Sequence, residues 1–163
     1  MTLIWTRDAG TLRVDGTAFD VTSIVRNEVN GWRKLHDPKE VIHAVMQDRT
    51  PGPPVMPRPF PLGEWDITGI DFFDDPSSDF YPVKILTNAN QPLNVWELDL
   101  DGGYASMTNK KVIDWGYWLH WISWSTTTQG CGKVGDKSPA QILRLASIIY
   151  DAVKDKSCTL EVI

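Results

Sequence analysis

Hydrophobic and polar residues alternate in short runs at the start of the chain. Three runs, Leu3–Thr6, Thr11–Val14 and Thr17–Val21, are separated by the dipeptides Ala9-Gly10 and Asp15-Gly16. Alternation with a period of two is typical of half-buried strands, and an Asp-Gly dipeptide favours a tight hairpin turn. The N-terminal region is therefore predicted to form three short strands.

Further alternating or apolar runs predict strands downstream. These predicted strands are Gly63–Ile70, Val83–Leu86, Leu93–Leu100, Val112–Trp121 and Thr159–Ile163. Six of the eleven prolines lie between residues 50 and 61, which excludes a helix or a central strand and predicts an extended surface loop. An acidic loop is predicted over residues 71–81, and a turn at residues 101–103.

One segment near the C-terminus has the three- and four-residue spacing of a helix. Ser138 is a suitable N-cap and Pro139 suits the first helical position; the apolar face that follows consists of Ile142, Leu145, Ala146, Ile149 and Val153. Residues 37–45 fit either a short helix or a loop. The whole pattern predicts a mostly β (α+β) fold with one clear C-terminal helix, in a single domain over residues 1–163.

Composition narrows the classes of protein that fit this pattern. Hydrophobic residues make up 42% of the chain and charged residues 23%, so a packed core is expected. The net charge of −5 argues against a nucleic-acid binder with a basic face. The eight tryptophans fit two interpretations equally well, because Trp both fills cores and lines grooves or interfaces.

Neither a signal peptide nor a membrane span is expected. Residues 1–8 contain no basic region followed by a long apolar run. No apolar stretch approaches the roughly 20 residues that a membrane helix needs. The chain is expected to be made in the cytoplasm, and a target in the periplasm would require secretion without a cleaved signal.

The segment from His120 to Lys133 carries the candidate chemistry. A nucleophilic cysteine needs a base, exposure to substrate and backbone donors for an oxyanion. His120 is the candidate base for Cys131, the flanking Gly130 and Gly132 would let the backbone approach a substrate, and Lys133 would add positive charge. The residues alone leave an alternative open, in which the cysteine occupies a tight turn and the histidine lies in a core or interface.

The remaining cysteine and histidines suggest no second site. Two cysteines are too few for a disulfide scaffold, and Cys158 is predicted to be a buried, inert strand residue. His36 and His43 have no partner at a metal-ligand spacing. No metal site is therefore predicted.

The order of these motifs resembles the L,D-transpeptidase catalytic domain. That family has an Ile/Leu-His pair on a strand, matched by Leu119-His120, and then Ser/Thr-x-Gly-Cys-x-Arg/Lys, matched by Thr128–Lys133. Pro61–Ile67 matches an upstream Pro-x-Gly-x-aromatic-x-Ile element, and the N-terminal hairpins are similar to those of small, signal-less members delivered by type VI secretion. The chain departs from the family at Trp121 and Gln129, and only ten residues separate its histidine from its cysteine.

The resemblance implies a β-sandwich and a cysteine enzyme that acts on peptidoglycan or muropeptides as a transpeptidase, carboxypeptidase or exchange enzyme. It implies catalytic roles for Cys131 and His120. It implies no metal and no organic cofactor. The oxyanion and substrate-binding residues that it suggests are Gly130, Gly132, Lys133, Thr128 and Trp121.

Two biological roles are compatible with this sequence. An antibacterial effector would have a cognate immunity protein or a secretion component as partner. The alternative is a catalytically silent, Trp-rich binding or structural module of phage or secretion-system origin, in which Trp121 fills the substrate groove.

Overall fold

The computed structural model describes residues 1–23, 58–99, 106–114, 116–123 and 130–163. The predictions for residues 37–45 and 101–103, most of the proline-rich loop, and Thr128 lie outside these ranges. The described strands are β1 Thr2–Thr6, β2 Thr11–Val14, β3 Thr17–Thr22, β4 Gly63–Phe72, β5 Val83–Ala89, β6 Asn94–Asp99, β7 Ser106–Ile113, β8 Trp118–His120, β9 Gly132–Val134 and β10 Thr159–Val162, with helix α1 Ala140–Lys154. The prediction of a mostly β fold with a C-terminal helix is confirmed.

Eight of the strands close into a barrel in the order β1-β10-β4-β5-β8-β9-β3-β2, while β6 and β7 form a separate two-stranded sheet. Neighbouring barrel strands are antiparallel except for β1 with β10 and β8 with β9, which are parallel. The predicted β-sandwich is thus replaced by a closed barrel, because each of these eight strands has a hydrogen-bonded neighbour on both sides and no edge separates two sheets.

The barrel interior is filled by alternate residues of its strands and by a cluster of four aromatic rings. Phe60 is fully buried and lies 5.2 Å from Trp5, 4.6 Å from Trp65 and 5.5 Å from Tyr117 between ring centroids. Such offset and edge-to-face contacts add to the burial of large apolar surface. These tryptophans therefore belong to the core.

Helix α1 covers part of the barrel with the predicted apolar face. All five residues of that face are buried, and the helix contacts β3, β4 and β5. It begins one residue later than predicted, with Pro139 in the N-cap position. Gln141 ties the helix to the barrel, since its side chain accepts from the Asp20 backbone N–H at 2.8 Å and donates to the Asp20 carboxylate at 3.0 Å.

Among the described residues, no helix has both the length and the apolar character needed to cross a membrane.

The prediction of one strand over Val112–Trp121 is wrong, and the break explains how the site is built. Strand β7 ends at Ile113 and β8 begins at Trp118. Gly116 between them has a φ of 86°, a left-handed conformation that interrupts an extended chain. The interruption lets the chain leave the β6–β7 sheet and enter the barrel wall.

Candidate functional site

The parallel pairing of β8 with β9 brings His120 and Cys131 to the same side of the barrel wall. Leu119 is paired with Gly132, and His120 with Lys133. Leu119 is fully buried, and a Cβ atom at Gly132 would lie 2.6 Å from Leu119 Cδ2, so both positions face the barrel interior. Because successive residues in extended chain point to opposite faces, His120, Cys131 and Lys133 point to the outer face.

The register also sets the distance between the two candidate catalytic residues. Cys131 precedes the register partner of His120 by two residues, so the two are diagonal neighbours on one face. Diagonal neighbours in a sheet have Cβ atoms roughly 7–8 Å apart, within reach for side chains that turn toward each other. The Cys131 thiol donates a hydrogen bond to the Gly116 carbonyl, with Sγ 3.6 Å from that oxygen.

His120 is buried and held by the backbone of the next residue. Its Nδ1 atom lies 3.4 Å from the Trp121 carbonyl oxygen, and its side chain is largely excluded from solvent. A carbonyl oxygen only accepts hydrogen bonds, so the contact favours the tautomer with the proton on Nδ1 and the lone pair on Nε2. The pKa of His120 lies at about 4 instead of 6.5, mainly because burial disfavours the charged ring. The Trp121 carbonyl opposes this shift, and then, in decreasing order, Lys84 lowers the pKa and Asp79 raises it. At neutral pH the ring is therefore a neutral base.

Lys84 stands beside His120 in a cluster of aromatic rings. The two residues are register partners on β5 and β8. The Lys84 ammonium lies 4.3 Å from the centroid of the Trp118 ring, 4.5 Å from that of Phe80 and 5.7 Å from that of Phe73. Phe80 also contacts His120, with 5.2 Å between ring centroids. Cation–π attraction to these rings holds a positive charge near the imidazole.

Replacing Lys84 with methionine is expected to raise the pKa of His120 toward its ordinary value, because a nearby cation disfavours protonation. Titration of the His120 ring protons by NMR measures this, and Lys84→Arg, which keeps the charge, serves as the control. Protonation of His120 also affects the stability of the fold. Between pH 6.5 and about 4 the unfolded chain binds a proton that folded His120 does not. The free energy of unfolding therefore falls by up to about 1.4 kcal/mol for each unit by which the pH is lowered in this range. An unchanged pKa in Lys84→Met would contradict the electrostatic role.

Gly130 and Gly132 serve different purposes. Gly130 has a φ of 123°, a conformation that favours glycine, and its carbonyl accepts a hydrogen bond of 3.1 Å from the Ser23 hydroxyl. The same hydroxyl accepts from the Phe60 N–H at 2.8 Å, so the approach to Cys131 is anchored to the core. Gly132 was expected to allow a close approach of substrate, yet its missing side chain faces the packed interior. In the present packing a side chain there would collide with Leu119, so glycine at this position serves the core, and its expected role toward substrate stays a prediction.

Two of the three other expected substrate-binding residues lie in the described part of the chain. Lys133 is buried, 4% exposed, and lies next to His120 across the β8–β9 pair. Trp121 is 9% exposed, and its indole N–H donates to the Asp136 carbonyl at 3.0 Å, which fixes the ring. Thr128 lies outside the described residues. The structure thus brings His120, Cys131 and Lys133 to one face, with Trp121 as a fixed neighbour.

A buried polar network supports the segment before β8, and the sequence patterns did not reveal it. The Asp114 side chain is 1% exposed and lies 3.1 Å from the Arg58 guanidinium. The Tyr117 hydroxyl donates to the same carboxylate, and Arg58 Nε lies 2.9 Å from that hydroxyl. These residues bracket Gly116, whose carbonyl accepts from the Cys131 thiol. Their separation in sequence, residue 58 against 114–117, left no local signal to find them by.

The second cysteine is buried, as predicted, and both cysteines are free thiols. Cys158 is 3% exposed, and its burial raises the pKa of the thiol to about 11. Cys131 is partly exposed. Iodoacetamide at pH 7.5 is therefore expected to label Cys131 and spare Cys158, because alkylation needs an accessible thiolate. Mass mapping of the labelled peptides measures this, with denatured protein as the control; preferential labelling of Cys158 would show that the wrong thiol was selected.

A cavity of about 220 Å³ lies beside these residues. It is lined by Pro76, Ser77, Ser78, Asp79, Tyr81, Trp121, Ile122 and Ser123. His120 and Cys131 do not line the cavity, but Trp121, the residue after His120, does, so the cavity lies next to the end of β8.

Across the described ranges, no group of three or more His, Cys, Asp or Glu residues is arranged to hold a metal ion. Comparison of the chain with protein-family models, curated proteins and solved structures finds no match.

Proposed function

We propose that the chain is a cysteine acyl-transferase or peptidase of the L,D-transpeptidase type that acts on peptidoglycan stem peptides. One observation supports the proposal most: the β8–β9 register pairs His120 with Lys133, two residues after Cys131, which is the spacing of diagonal neighbours on one face of a sheet. The motif order supports it, because the histidine lies on a strand and the cysteine directly precedes the next strand in the barrel wall.

The first step of the proposed reaction forms a thioester. The Cys131 thiol attacks the carbonyl of the L-centre residue in the stem peptide, and its proton passes to Nε2 of neutral His120. The proton on Nδ1 remains directed at the Trp121 carbonyl, which stabilises the imidazolium that forms. Backbone N–H groups around Gly130 and Cys131 are the proposed donors to the oxyanion.

His120 gives its proton to the departing D-amino acid as the C–N bond breaks, and this departure leaves the thioester. The second step resolves the thioester. An incoming amine then forms a new amide in cross-linking or exchange, whereas water yields a carboxylic acid. In either case the attacking group loses a proton to His120, which returns it to the Cys131 thiolate.

The resting geometry favours one alternative, a catalytically silent binding module. The thiol donates to Gly116 instead of His120, and the histidine is only 5% exposed. In such a module Trp121, fixed by Asp136, would be part of a surface that grips glycan or peptide. The enzyme proposal requires that bound substrate redirect the thiol from the Gly116 carbonyl to Nε2.

Incubation with purified muropeptides and mass spectrometry of the products tests the two functions. Loss of a terminal D-amino acid from tetrapeptide stems indicates carboxypeptidase action, new dimers indicate cross-linking, and incorporation of an added D-amino acid indicates exchange. Binding of muropeptides without any product supports the silent module. Neither binding nor product rejects both.

We further propose that the protein acts in the periplasm of a target cell as an antibacterial effector. Addition of a signal peptide is then expected to cause swelling or lysis of a Gram-negative host, whereas cytoplasmic expression is harmless because the cross-linked wall lies elsewhere. The Cys131→Ala variant is expected to be harmless in both places. Equal periplasmic toxicity of wild type and variant would reject the enzymatic effector, and cytoplasmic toxicity alone would reject the wall as target.

A further inference from the structure

The residues that line the cavity include the chain neighbours of both His120 and Phe80, whose rings are in contact. One wall is formed by Trp121, Ile122 and Ser123, which directly follow His120. The opposite wall includes Asp79, which directly precedes Phe80. The His120 and Phe80 rings are in edge-to-face contact, and residues that adjoin each of them in the chain line the cavity.

The acidic wall of the cavity is locally ordered. The backbone N–H and the hydroxyl of Ser77 both donate to the Asp75 carboxylate, at 2.9 Å and 2.8 Å. The Phe80 N–H lies 3.3 Å from the Ser78 hydroxyl in a similar local contact. These hydrogen bonds hold the turn that presents Asp79 to the cavity.

The lining has the chemistry of a site for a cation on an apolar stem. Among the described residues of the lining, Asp79 is the one that carries a charge, and it forms no ion pair with another described residue. The serine residues supply hydroxyl groups, and Trp121, Ile122 and Tyr81 supply apolar surface. The volume of about 220 Å³ exceeds the ~150 Å³ of a cavity that admits benzene, so a single amino-acid side chain fits.

The position of the cavity indicates which part of a substrate it would receive. In the chain direction of β8, Gly116, whose carbonyl accepts from the Cys131 thiol, precedes His120, and the cavity-lining residues Trp121–Ser123 follow it. In the proposed reaction His120 must reach both the thiol and the nitrogen of the departing or attacking amine. The body of that amine therefore extends past His120 and away from Cys131.

We propose that this cavity is the subsite for the amine that leaves or attacks the Cys131 thioester, and that Asp79 selects an amine with a second, positively charged group. This inference rests on the proposed function. In exchange, the thioester C–S bond breaks and a C–N bond forms; the amine nitrogen gives one proton to His120, which passes it to the thiolate. The charged group of the side chain stays bound at Asp79 and takes no part in bond making.

Competition between two D-amino acids of equal chain length tests the selection. A tetrapeptide muropeptide is supplied with equal D-lysine and D-norleucine, and the two exchange products are measured by mass spectrometry. Wild type is expected to favour D-lysine by about two- to fivefold, the effect of a solvated ion pair. Asp79→Asn is expected to bring the ratio near one, while Asp74→Asn, in the same loop but outside the cavity lining, keeps the wild-type ratio.

A binding measurement on Cys131→Ala protein separates this inference from the proposed function. Titration with n-butylammonium chloride is expected to shift the Trp121 indole N–H resonance, and n-butanol is expected to shift it much less. Exchange without preference for D-lysine would overturn the subsite while leaving the enzyme. Binding of n-butylammonium without any turnover of muropeptides would overturn the acceptor role and the enzymatic proposal together. Absence of both binding and preference would reject the cation site outright.

Discussion

The Cys131→Ser variant is expected to lose at least about a thousandfold in muropeptide turnover while keeping its fold. An alcohol is a much weaker nucleophile than a thiol at neutral pH, because it gives up its proton far less readily. The substitution is nearly isosteric, so the side chain still reaches the Gly116 carbonyl. Rates are measured by chromatography of tetrapeptide stems, and folding by the thermal melting curve.

Two matched variants define what this result means. Cys158→Ser changes the buried thiol and is expected to leave turnover nearly intact. His120→Gln is expected to lose about a hundred- to ten-thousandfold, because it removes a general base while preserving a hydrogen-bonding side chain. Full activity of Cys131→Ser, or a loss in Cys158→Ser as large as the one expected for Cys131→Ser, would contradict the assignment of the nucleophile.

Features that depend on local residue pattern were predictable. Strands β1 to β3 follow from alternation, and the hairpin between β2 and β3 has Asp15 and Gly16 both at positive φ, as an Asp-Gly turn requires. The apolar face of α1 is buried as its spacing predicts. In each case the determining contacts lie within a few residues of one another.

Features that depend on long-range pairing were not predictable. Strand β9 has three residues, too few to show a period, and it exists because β3 and β8 supply partners on both sides. Closure into a barrel depends on the parallel pairing of β1 with β10, which joins the two ends of the chain. No local run of residues encodes such a contact.

The same division applies to the candidate site. The motif order identified His120 and Cys131 as candidates, whereas their relative position follows from the β8–β9 register. The low pKa of His120 depends first on burial and next on groups such as Lys84, far away in the chain. The close packing of Gly132 against Leu119, which favours glycine at that position, is visible only once β8 and β9 are paired.

The network around Asp114 is expected to dominate stability among the polar groups near the site. Asp114→Asn removes the carboxylate charge that pairs with Arg58 and accepts from Tyr117. Breaking one side of a fully buried pair costs about 3–5 kcal/mol. The Arg58 side chain is 35% exposed, so water recovers part of this, and we expect about 2–3 kcal/mol. For a chain of this length the melting temperature should fall by about 5–10 °C.

An exposed ion pair provides the matched control. Asp8→Asn removes the partner of Arg7, 3.9 Å away, at a carboxylate that is 98% exposed, so almost no change in melting temperature is expected. Similar small effects for both variants would contradict the structural role of the buried network. If the network also holds Gly116, Asp114→Asn should change the rate at which iodoacetamide labels Cys131 below the melting transition. Asp8→Asn should leave that rate unchanged. The Gly116 carbonyl, which accepts the hydrogen bond from the Cys131 thiol, lies next to the network and far from Asp8 in the chain.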